Sequence, residues 1–247
     1  MQLASKQNIL GCKHIFLFFL IPLCSLQNIT SQEKMIGIQY EERGEPEVLD
    51  LKKVFYKDSR MPIPEKEFKN LVRNNPHLYL ERIYDADGIL VSYLYDPKYP
   101  QGNFSTTSTC DVSMGADFPN FRMTTLDNKK IELASFKGKL VLLRFERHAN
   151  DFRFKKHEIE ELDNKINALK NKDDIKAIII FSVSEEEIRK GFDLVNSNFQ
   201  LIPNANNFIQ KYGIRRFPLT LLIDQKGKLI EIFKYSEDID FSKYLNN

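Results

Sequence analysis

Tryptophan is absent from the 247 residues, histidine occurs four times and cysteine three times. The cysteines are Cys12, Cys24 and Cys110, so the stretch from Asp111 to the end holds none. That absence excludes a two-thiol exchange cycle there, because such a cycle needs a second thiol to resolve the mixed disulfide. The histidines (His14, His77, His148 and His157) do not offer two ligands on one helix face with a third partner, so no metal site is expected. An excess of one charge is also missing: 36 Lys and Arg face 34 Asp and Glu, a net charge of +2. Nothing in that balance suggests a nucleic-acid partner. No glycine-rich phosphate loop and no serine-nucleophile motif occurs, so no cofactor is expected. Long apolar runs are lacking too. The run Ile15 to Leu26 falls short of the roughly 20 residues that a membrane-spanning helix needs.

That run follows Lys6 and Lys13, and a basic start before a short apolar stretch reads as a secretory signal peptide over residues 1–26. Cys24 then has two readings: it leaves with the signal, or it carries a lipid that anchors the chain to a membrane. In either case Cys110 is the one useful thiol of the mature chain, and no intramolecular disulfide can form.

Residues 27–96 read as a small α-β-β module. Pro64 suits a first helical turn, and Phe68, Leu71 and Val72 give one apolar face before Asn74-Asn75-Pro76 ends it. Leu78 to Tyr84 and Ile89 to Tyr95 are strand-like, and Asp87-Gly88 between them signals a hairpin. The unit is too small to stand alone and is expected to pack on the larger domain. Residues 97–113 are rich in Pro, Gly, Ser and Thr and read as a linker, with Cys110 exposed in it.

A regular α/β pattern fills residues 114–247. Lys139 to Glu146 and Ile175 to Val183 are apolar enough for the middle of a sheet covered on both faces. Between them Phe152, Ile159, Leu162, Ile166 and Leu169 recur at helical spacing. Ser184-Glu185-Glu186-Glu187 is a capping box, and a short helix from about Ala205 should stop at Gly213. Strands over Leu219 to Ile223 and Leu229 to Phe233 follow, and an amphipathic stretch from Asp238 to Leu245 reads as a closing helix. The order implies a mixed sheet flanked by helices.

Three ordered segments carry a resemblance: Gly115-Ala116-Asp117-Phe118-Pro119-Asn120-Phe121, Leu133 to Phe145 (LASFKGKLVLLRF), and Phe217-Pro218-Leu219-Thr220-Leu221-Leu222-Ile223-Asp224 with Gly227. They resemble the secreted thioredoxin-like proteins of the TlpA/ResA type and the wider AhpC/TSA, redoxin-related group. The resemblance implies a thioredoxin-like fold, a cis Pro218, and an exported protein of the envelope or periplasm of a Gram-negative bacterium. It also implies that a Cys-x-x-Cys pair should open the helix after Phe145. There, free N–H groups and the positive helix dipole stabilise a thiolate. Here Asn150 and Arg153 stand at those positions, give or take one residue. A peroxidatic cysteine is missing as well.

Two readings of the vacated site stay open. In one, Asn150 is retained as an ordinary helix N-cap. In the other, Arg147, His148, Arg153, Arg215 and Arg216 converge around Phe217 and Pro218 as a peptide- or anion-binding rim. The functional expectation is a redox-inactive binding or assembly module with a protein or peptide partner. The alternative is a single-thiol oxidoreductase that uses Cys110.

Overall fold

The computed structural model describes residues 49–103, 109–150, 154–194 and 196–245. The expected signal segment, Cys12, Cys24, Phe152 and Arg153 lie outside the described residues. Residues 50–247 form one compact unit. Its elements in order are β1 (Val54–Tyr56), α1 (Glu65–Asn74), β2 (Glu81–Tyr84), β3 (Leu90–Tyr95), β4 (Arg122–Thr124), β5 (Lys130–Glu132), β6 (Leu140–Glu146), α2 (Lys156–Asn167), β7 (Ile175–Phe181), α3 (Glu185–Gly191), β8 (Phe199–Ile202), α4 (Asn206–Lys211), β9 (Leu219–Ile223) and β10 (Leu229–Phe233).

The main sheet has the order β10-β9-β6-β7-β8. Strands β6, β7 and β8 run parallel, β9 is antiparallel to β6, and β10 is antiparallel to β9. Alternation along β6 sends Val141, Leu143 and Phe145 to one face and Leu140 and Leu142 to the other. On the first face these residues meet Phe208, Ile209 and Tyr212 of the α4 region. On the second, Ile159, Leu162 and Ile166 of α2 and Ile188 of α3 cover the sheet. Such two-sided cover is why β6 and β7 read as nearly unbroken apolar runs. The mixed α/β sheet flanked by helices is thus the observed architecture.

Local chemistry sets several boundaries. The Ser184 hydroxyl accepts the Glu187 N–H at 3.3 Å and starts α3. Gly213, at φ +60°, follows α4 in the left-handed region that glycine tolerates best. At the end of the chain the expected helix is not formed. Two short 3-10 turns, Ser236–Asp238 and Phe241–Lys243, bury Ile239, Phe241 and Leu245 instead. Asp240 accepts the Ser242 N–H at 3.1 Å and interrupts the segment, so the apolar pattern reported burial correctly and helix wrongly.

The small N-terminal elements form a three-stranded sheet of order β1-β3-β2. The hairpin closes at Asp85-Ala86-Asp87-Gly88, where the Asp85 carboxylate accepts the N–H groups of Asp87 and Ile89, each at 2.9 Å. Strand β1, parallel to β3, is an addition that the sequence did not announce, because three residues carry no periodicity. The hairpin docks on α4. Asn207 donates to the Gly88 carbonyl at 2.9 Å, and the Lys211 ammonium donates to the carbonyls of Asp85 (2.6 Å) and Asn120 (2.7 Å). A side chain at Gly88 would place its Cβ 2.3 Å from the Asn207 amide nitrogen.

Candidate functional site

The site lies where β6 and β9 end side by side. Residues 147–155 leave β6 toward α2, and residues 212–218 lead into β9. The Phe217–Pro218 bond is cis. The Arg147 guanidinium stacks over the Phe217 ring at 5.0 Å, which joins the two segments. The Ser182 hydroxyl donates to the Arg147 carbonyl at 2.6 Å, and the Ser182 N–H to the Glu146 carbonyl at 3.2 Å. The exit from β6 is therefore tied to the end of β7.

The expected rim is assembled only in part. Arg147 is exposed and His148 half-buried, beside the partly buried Phe217 and Pro218. Arg216 is exposed, with no carboxylate partner among the described residues. Arg215 turns away: its guanidinium pairs with the Asp111 carboxylate at 2.6 Å. Arg153 lies outside the described residues.

Asn150 is exposed and its carbonyl accepts the Phe154 N–H at 3.1 Å, while α2 is continuous from Lys156 with Lys155 at its N-cap. Packing fixes the described residues on either side. Ala149 is fully buried, and the neighbouring Gly191 lies so close that a Cβ there would meet the Ala149 carbonyl oxygen at 1.7 Å. Phe154 is inserted between Phe181 and Phe192, with ring centroids at 5.8 and 5.9 Å. These anchors fix Ala149 and Phe154, the described residues on either side of 151–153.

Four charges complete the anchoring, and sequence reasoning missed them as functional residues. Arg144, 1% exposed, donates to Glu146 and to Glu158, each at 2.7 Å, and Lys155 donates to the other Glu158 oxygen at 2.7 Å. Arg144 and Glu146 end β6, whereas Lys155 and Glu158 flank the start of α2, so the cluster bridges both stems of the loop. Burial pushes the Glu146 carboxyl up to about 7 against the pull of Arg144. Burial also acts on Glu158, but hydrogen bonds from Lys155 and Arg144 outweigh it and hold that carboxyl below its ordinary range. The signal was available in the sequence: two charges two residues apart inside an otherwise apolar strand.

Cys110 is not exposed. It is 5% accessible, its thiol lies 3.4 Å from the Tyr212 carbonyl oxygen as a donor, and the Val112 N–H donates to its sulfur at 3.4 Å. Residues 109–111 run along 212–215, with Asp111 N–H on the Tyr212 carbonyl and Arg215 N–H on the Thr109 carbonyl. Those pairings, about a hundred residues apart, bury a segment whose composition reads as linker. Burial pushes the Cys110 thiol up, which opposes thiolate formation and hence nucleophilic use. Among the described residues no group of three or more His, Cys, Asp or Glu is placed to hold a metal ion.

Sheet order, cis Pro218 and the β6–α2 connection define a thioredoxin-like domain. The AhpC/TSA family model matches residues 114–234. The thiol-disulfide oxidoreductase ResA of Bacillus cereus is 31% identical over 143 residues, covering 54% of this chain and 76% of that protein. ResA of Bacillus thuringiensis subsp. konkukian is 30% identical over the same span. The crystallised thioredoxin domain of a thiol-disulfide oxidoreductase from Bacteroides vulgatus is 24% identical, with a TM-score of 0.45, covering 51% of this chain and 92% of that one. The chain belongs to the TlpA/ResA-type thioredoxin-like proteins, within the thiol-disulfide oxidoreductase and redoxin family.

Proposed function

We propose that this family member is redox-inactive and works as an exported binding or assembly module in the envelope of a Gram-negative bacterium. It would capture an acidic segment of a protein or peptide partner against Phe217, Pro218 and the exposed guanidinium groups of Arg147 and Arg216. The observation that carries this reading is the cysteine content: Asn150 stands at the first vacated position, and no cysteine follows the buried Cys110. Exchange chemistry needs a thiolate, and that position has no thiol. Export is supported by the basic and apolar N-terminal segment, and membrane attachment through a lipid on Cys24 belongs to the same proposal.

The deciding experiment is disulfide-reductase activity of the mature chain beside Cys110→Ser. The expected result is no turnover by either. Activity in the wild type that disappears in the variant would make Cys110 the nucleophile and overturn the proposal. Capture is tested separately: Arg147→Glu and Arg216→Glu should each weaken binding of an acidic peptide, and unchanged capture by both would remove the rim.

A further inference from the structure

With Glu146 ionised, Arg144 and Lys155 balance Glu146 and Glu158, and the cluster is neutral. With Glu146 protonated, the same cluster carries one net positive charge. Glu146 is the chain neighbour of Arg147, and the Ser182 hydrogen bonds fix both at the end of the sheet. A charge gained in a site of low dielectric acts on a neighbouring anion more strongly than a surface charge does. Among the described residues, the groups facing Glu146 can be named element by element. Its own strand contributes Arg144, and the start of α2 contributes Glu158 and Lys155. Its register partner in β7, Phe181, contributes no charge.

We propose that the Arg144–Glu146–Glu158 cluster couples partner capture to proton uptake, so that an acidic segment binds the Arg147–Arg216 rim more tightly once Glu146 takes a proton from solvent. The inference rests on the rim reading given above. It goes beyond that reading by assigning the rim a regulator that touches no ligand. Glu146 acts here through Arg147 and the local field, as a positioning and charge-setting residue. Linkage makes the effect reciprocal: if protonation tightens binding, binding must draw a proton in. The near-neutral titration of Glu146 puts the transition where an envelope protein meets changes of ambient pH.

The test uses the mature chain and a fluorescein-labelled hexa-aspartate peptide, whose carboxylates stay ionised above about pH 6. Anisotropy titrations should show the wild type binding roughly three- to tenfold more tightly at about pH 6 than at about pH 8. Glu146→Gln, a neutral mimic of the protonated group, should hold the tighter affinity at both pH values. Calorimetry in two buffers of different ionisation enthalpy should register proton uptake on binding for the wild type and none for this variant. Glu158→Gln removes a neighbouring negative charge and should move the midpoint to lower pH. A wild-type pH dependence that survives unchanged in Glu146→Gln would overturn the inference, and its loss in His148→Gln would reassign the proton to that residue. Binding that is insensitive to pH in the wild type would overturn the inference while leaving the rim standing. No peptide binding at any pH would remove the rim and the inference together.

Discussion

The segment before Pro218 and the loop after Glu146 meet at one end of the main sheet, yet different chemistry holds them. The first keeps the pattern of its family: Phe217 and a cis Pro218 lead into a fully buried strand β9. The second carries no cysteine, and its described ends are fixed by Ala149, Phe154 and four charges. One side keeps the family's pattern, whereas the other departs from it at Asn150. A fold can therefore hold one part of a site in its familiar shape and fix another by packing and buried ion pairs.

The largest expected effect on this contrast comes from Arg144→Met, which leaves buried Glu146 without its partner and Glu158 with Lys155 alone. It should lower unfolding free energy by about 3–5 kcal/mol in urea titrations, with part recovered by adding Glu146→Gln. A cost below about 1 kcal/mol would mean that the cluster does not pin the loop. The pH dependence should come next. The Glu146 carboxyl is raised to about 7 on folding, so its contribution is fully present below the unfolded value and is lost as pH rises through about 7. The wild type should lose about 3 kcal/mol relative to Glu146→Gln between about pH 4.5 and 7.5, read from paired denaturation curves. Gly191→Ala should cost about 1–3 kcal/mol, because its Cβ collides with the Ala149 carbonyl, and should loosen hydrogen-exchange protection in the loop. On the Pro218 side Arg216→Glu should change stability by less than about 0.5 kcal/mol, since the residue is exposed, while still weakening capture. A large stability loss there would erase the distinction between a pinned loop and a presenting one.

The sequence disclosed the main sheet well, since β6, β7, β9 and β10 are apolar runs bounded by turn residues. It disclosed the hairpin through Asp87-Gly88, and α3 through its capping box. Strands β1, β4, β5 and β8 are three or four residues long, too short for a period to register. The site was harder. The pairing of Arg144 with Glu158 joins residues 14 apart in the chain, and no local pattern shows it. Cys110 looked exposed because its neighbours are polar, whereas its burial depends on Tyr212, far away along the chain.

The anchors on either side of Asn150 also bear on how this stretch can be re-engineered. The Ala149 carbonyl leaves no room for a side chain at Gly191, and Phe154 fills the space between Phe181 and Phe192. Any sequence exchanged between them has to meet the same two fixed points. The stretch is thus a cassette with set ends, open to new residues inside and closed to a change of frame.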